Sequence, residues 1–173
     1  MSINTITTLA VAVGAKAIGF AIFNNSVLQY YAVKTIPSGR TTRNAAHILQ
    51  QQINGLISTF QPDVLAIKQT VAVQKDSAFV KTATKRIREL SSKRNLQYFE
   101  YSSKAIRQAL CQTSAATRQD VVAHIARLFP ELTHFLKRTR KWEQAYYGNM
   151  LDAIAIGFVC TQDLSAKQAS ADK

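Results

Sequence analysis

Acidic residues are scarce in this chain: 10 Asp and Glu stand against 22 Lys and Arg in 173 residues, a formal net charge of +12. Such an imbalance selects for polyanionic partners, nucleic acid ahead of a membrane surface. A basic subunit docked on an acidic protein or inside a ribonucleoprotein would share the same composition. Cysteine is scarcer still. Cys111 and Cys160 lie far apart and outside any C-x-x-C spacing, which argues against a disulfide framework and a zinc site and fits a reducing compartment, so a cytoplasmic protein is expected. No run approaches about 18 consecutive apolar residues, and no basic stretch followed by an apolar core opens the chain, so neither a membrane span nor a signal peptide is expected. Internal repeats and low-complexity linkers are also lacking. One domain is therefore expected over residues 1–162, followed by a small polar tail, 163–173, that should fray.

What is present is 47% hydrophobic content, enough for a sizeable core, arranged with clear periodicity. "TLAVAVGAKAIGFAIFNNSVLQYYAVKTI" reads as three strands broken at Gly14, Gly19 and the Asn24-Asn25 turn signal. Apolar residues from Arg43 to Phe60 recur at helical spacing and stop before Pro62. "DVLAIKQT" is a fourth strand, residues 77–94 a second helix, and "LQYFEYS" a fifth strand. Ser103 or its neighbour can cap "KAIRQAL", Thr117 with Asp120 forms a capping-box pattern before "VVAHIARLF", and Pro130 ends that helix. A basic connection then leads to the apolar helix "NMLDAIAIGFVC". Antiparallel strands followed by strands reached through helices predict a mixed five-stranded α/β sheet flanked by helices.

Four stretches resemble the RuvC family of Holliday junction resolvases, within the ribonuclease H-like superfamily. The family's first strand ends in Asp-Pro-Gly with a second glycine soon after, and "AVGAKAIGFAIF" keeps both glycines. Its fourth strand ends in Ile-Glu-Gln, matched by Ile67-Lys68-Gln69, before a helix whose opening resembles "QKDSAFV". "YSSKAIRQALCQTSAATRQDVVAHIARLF" is similar to the segment that follows. The family's closing Asp-x-x-Asp-Ala-x-Ala is matched by Asn149-Met150-Leu151-Asp152-Ala153-Ile154-Ala155. The likeness runs from Leu9 to Cys160 and implies a ribonuclease H-like fold.

In the family, carboxylates at four of these places hold two magnesium ions for phosphodiester cleavage. Here the four positions are Ala12, Lys68, Asn149 and Asp152, so only Asp152 is an acid. Two divalent ions at close range need anionic ligands between them, and an ammonium adds a like charge. The expectation is that Lys68 takes the vacated space and pairs with Asp152, that no metal cofactor is held, and that the chain is a resolvase homologue without nuclease activity. Lys68 reaching solvent instead, and Asp152 serving only near a helix start, are the plainer readings. The alternative is a divergent magnesium-dependent endonuclease that recruits Asp63, Asp76, Asp120 or Glu143 beside Asp152.

The expected partner is branched or structured nucleic acid, bound by a monomer or, as the resemblance implies, a homodimer. Candidate contacts are Lys75, Lys81, Lys85, Arg86 and Arg88 on or before the second helix, then Lys104, Arg107 and Arg118. "KRTRKWEQAYY" adds Lys137, Arg138, Arg140 and Lys141 beside Trp142, Tyr146 and Tyr147, a mixture suited to phosphates and unpaired bases. Solvated helix faces and core packing would explain the same residues. Val71 stands near the place where such resolvases carry an aromatic wedge. His47, His124 and His134 have no second ligand at metal spacing and read as structural.

Overall fold

The computed structural model describes residues 5–69, 78–137 and 140–171. Three strands, β1 (Thr7–Val13), β2 (Ala17–Asn24) and β3 (Val27–Thr35), form an antiparallel meander. The two-residue β2–β3 connection turns through Asn25 at φ 50, a left-handed conformation that asparagine tolerates. Helix α1 (Thr42–Phe60) leads to β4 (Val64–Lys68), and α2 (Ala78–Lys93) to β5 (Gln97–Tyr101). Both β4 and β5 add in parallel, giving the order β3-β2-β1-β4-β5. This is the expected five-stranded mixed sheet. After it come α3 (Ser103–Cys111), α4 (Arg118–Leu128), a 3-10 turn (Pro130–Leu132), α5 (Thr133–Leu136) and α6 (Lys141–Ala171).

Strand alternation divides the core. Leu9, Val11, Phe20, Ile22, Leu65 and Ile67 point to one face, where α1 and α2 cover them with Leu49, Ile53, Ala83 and Ile87. The opposite face carries the small residues Ala10, Ala12, Ala21 and Ala66, against which α6 packs. Apart from Asp152, helix α6 is apolar around its circumference from Met150 to Cys160 because the sheet lies on one side and α3 and α4 on the other.

Two expectations change. Gly19 does not break a strand; it lies inside β2 on the α6 face. A Cβ there would stand 1.9 Å from the Asn149 carbonyl oxygen, so the missing side chain lets the α6 backbone rest on the sheet. The second change is in α6, which extends well beyond "NMLDAIAIGFVC" at both ends. It begins at Lys141, within the stretch read as a connection, and continues through 163–171, the stretch expected to fray. Leu164 is buried and Lys167 lies over the Phe99 ring, contacts that tie this last part to the sheet.

Candidate functional site

The parallel register Val11↔Ile67 brings Ala12 level with Lys68 where β1 and β4 end side by side. Ala12 is buried and contributes a methyl group. Lys68 has the same parity as Val64 and Ala66, so its side chain leaves the sheet on the α6 face. Its Nζ lies 3.5 Å from Asp152 Oδ2, with the lysine side chain 39% and the aspartate 16% exposed. The expected pair is therefore formed, and the solvent-directed reading of Lys68 does not hold.

A second cation completes the cluster. Arg118 grips the same carboxylate as a fork, Nε to Oδ1 at 3.3 Å and Nη2 to Oδ2 at 3.0 Å. Its placement follows from local rules. Thr117 and Asp120 form the expected capping box, which makes Arg118 the first residue of α4. From there the side chain crosses α6 at Gly148, where a Cβ would come within 2.6 Å of Nη2. Glycine in a helix interior costs about 1 kcal/mol relative to alanine, and here it opens the path that Arg118 takes.

A small cavity of about 70 Å³ lies beside the cluster, lined among others by Lys68, Ser103, Arg107, Arg118 and Asp152. Three of these are cations and one is an acid, so the cleft is electropositive. Asn149 completes the set of four positions, with its amide against Gly14.

These residues do not fit a pair of magnesium ions. Ala12 has no ligand atom, Lys68 places an ammonium where an oxygen ligand would be needed, and both Asp152 oxygens are engaged by cations. Among the described residues no group of three or more His, Cys, Asp or Glu could hold a metal ion. The acids considered as substitutes are placed elsewhere. Asp63 accepts from the Thr7 amide at the opposite end of β4, and Asp120 is committed to Thr117. Backbone and side-chain hydrogen bonds from Thr117 hold the Asp120 carboxyl below its ordinary range. Glu143 lies in the first turn of α6, while Asp76 lies outside the described residues.

The proposed nucleic-acid contacts separate into groups. Lys81 and Lys85 are exposed on α2, and Lys104, Lys137, Arg140 and Lys141 are exposed too. Arg86 turns toward Gln50 of α1, half-buried, and does not join the outer row. Arg88 is committed to Glu100, which also accepts from the Tyr98 hydroxyl at 2.7 Å. Burial alone would raise the Glu100 carboxyl, but the hydrogen bonds from Arg88 and Tyr98 outweigh it and hold it low. Burial pushes Tyr98 well up. Trp142 is 61% exposed, whereas Tyr146 and Tyr147 are half-buried and meet edge to face at 5.0 Å. Lys75, Arg138 and Val71 lie outside the described residues. His134 Nδ1 donates to the Glu131 backbone carbonyl at 2.7 Å, and His47 pairs with Gln51. The fork of Arg118 is the feature that sequence reasoning missed. Its signals were the capping box and the glycine directly before Asn149.

A mixed sheet in this order, with polar residues gathered where β1 and β4 end beside α6, defines a ribonuclease H-like fold. The sequence matches the family described as crossover junction endodeoxyribonuclease RuvC over residues 8–159, and the chain belongs to that family. No curated protein matches it by sequence. Its structure is similar to that of Thermus thermophilus RuvC, with a TM-score of 0.72 and 14% identity over 93% of this chain and 97% of that one. The same RuvC in complex with Holliday junction substrate gives 0.69 at 14% identity, covering 89% and 91%. The yeast mitochondrial Holliday junction resolvase Ydc2 gives 0.62 at 16% identity, covering 90% and 78%.

Proposed function

We propose that this chain is a RuvC-family protein that binds branched nucleic acid through a metal-free site and does not cleave it. The observation that carries this reading is the engagement of Asp152 by both Lys68 and Arg118. The cluster bears one positive charge beyond neutrality, and Arg107 beside it adds another. A phosphodiester brought to this cleft would meet cations directly. Arg118 spends two of its donors on Asp152, which leaves up to three for phosphate oxygens, and its side chain is 53% exposed.

Cleavage is a different matter. Hydrolysis through a metal pair requires ions that activate water and neutralise the leaving oxygen, and a carboxylate whose charge two cations already more than cancel has little attraction left for them. The exposed Lys81, Lys85, Lys104, Lys137, Arg140 and Lys141 lie outside the cleft lining and would follow the backbone, each contact adding affinity through counterion release. Lys75 and Arg138 belong to the same basic stretches. A homodimer would present two such clefts to a junction, and a cytoplasmic location would give the protein access to one.

The test is binding and cleavage of a four-way DNA junction, in EDTA and then in magnesium or manganese. Binding in EDTA that is tighter than to random duplex across a salt series, with intact strands in every metal, is the expected result. Metal-dependent cleavage that disappears in Asp152→Ala would overturn it and restore the endonuclease reading. Equal affinity for junction and duplex would point to a structural subunit of a nucleoprotein complex.

A further inference from the structure

Arg118 borders a second, larger space. On the other side of its side chain a groove of about 580 Å³ runs between α4, α5 and the start of α6, lined by Gln119, Val122, Phe135, Gln144 and Tyr147 among others. The size falls within the usual range for small-ligand sites. Phe135 and Tyr147 are half-buried with ring centroids 4.8 Å apart, and the polar lining consists of amides and Thr117 with Arg118 as the charged member. Lys137 follows α5 directly and Lys141 opens α6, so the approach to the groove is basic as well.

Resting on the reading above, we propose that this groove receives one unpaired nucleobase of the strand whose phosphate lies on Arg118. The chemistry is that of a nucleotide divided between adjoining sites: phosphate on the guanidinium donors that Asp152 leaves over, base against the Tyr147 and Phe135 rings, base edges against the Gln119 and Gln144 amides. Aromatic faces accept any base, while amides supply both donors and acceptors for its edge. The charge argues against an apolar peptide, which gains nothing from an arginine and flanking lysines. A branch point supplies unpaired or easily unstacked bases, so the groove would favour branched over continuous duplex.

The experiment uses the full chain and a four-way DNA junction in EDTA, with an abasic residue or 2-aminopurine placed in turn at each position around the crossover. At one position the abasic substitution should weaken binding about tenfold, within the range of a lost base–aromatic stack, and 2-aminopurine there should change its fluorescence on binding. Ala123→Trp fills the groove from an exposed position on α4 and should cost the intact junction about the same factor. Applied together, the two changes should cost no more than either alone, because both empty the same site. Tyr147→Ala should act likewise, and Ala123→Trp keeps the test valid if that truncation unfolds the protein. Abasic junctions that bind as well as intact ones at every position, with Ala123→Trp silent, would overturn the base site while leaving the metal-free binding reading in place. Free 2-aminopurine nucleotide bound as tightly as the strand would reassign the groove to mononucleotides and also overturn it. A protein that binds no junction at all would sink both readings.

Discussion

Two clusters in this molecule are built from the same parts with opposite outcomes. At the edge of the sheet Glu100 takes one cation, Arg88, and one neutral donor, the Tyr98 hydroxyl. The charges cancel, Arg88 also lies over the Tyr98 ring at 5.8 Å, and the group is closed. Where β1 and β4 end, Asp152 takes two cations, Lys68 and Arg118, and a third, Arg107, shares the cavity. That group keeps positive charge and unspent donors facing a cleft. The lesson is that an ion pair is structural or receptive according to its balance. A neutral pair at an exposed edge contributes roughly 1 kcal/mol or less to stability, whereas surplus charge in a cleft is available to an anion.

Reversing the surplus should give the largest effect. Lys68→Glu combined with Arg118→Glu is expected to reduce junction affinity by about a hundredfold, and the two neutralising changes Lys68→Ala and Arg118→Ala together should lower the salt-dependence slope by about 2. Fluorescence anisotropy over a salt series reads both. Unchanged binding would show that the cleft is not where the nucleic acid sits.

The closed cluster should behave in the opposite way. Arg88→Ala should cost about 1 kcal/mol in urea denaturation and leave junction affinity within about twofold, since its charge is already cancelled by Glu100. A large loss of binding would return Arg88 to the phosphate-contacting row. The acid side of the same cluster gives a pH signature. Glu100 is held below its ordinary value when folded, so its contribution is complete above about pH 4.3 and is lost as pH falls through the lowered folded value. Stability measured from about pH 5 to pH 2 should therefore fall less steeply in Glu100→Gln than in the natural protein.

The smallest effect is the finest test of the open cluster. Gly148→Ala meets only the far end of the Arg118 side chain, so the fold should hold and gain up to about 1 kcal/mol from helix propensity. Arg118 would be pushed aside, and junction affinity should fall about threefold, the mark of a misplaced phosphate ligand. Stability and affinity moving in opposite directions would be hard to obtain if Arg118 served only the fold.

Much of this was legible in the residues alone. Short apolar runs in "TLAVAV" and "VLAIK", helical spacing in α1 and the Thr117–Asp120 box are patterns of neighbouring residues, and they appear in the structure where expected. The loss of acids at Ala12, Lys68 and Asn149 needed only family motifs for its detection. Less legible were the ends of α6 and the role of Gly19. A glycine in a strand pattern marks either a break or a close approach, and choosing between them requires knowing that the α6 backbone arrives there.

The chain by itself determined its elements, its basic character and the poverty of carboxylates at the strand ends, because periodicity and composition act over a few residues at a time. Only the tertiary structure decided that Arg118 would cross Gly148 to reach Asp152, that Arg88 would be taken by Glu100, and that Arg86 would face α1. Coulomb and hydrogen-bond energies depend on distance through space. Which cation meets which acid is thus set by helix packing on the sheet and not by spacing along the chain.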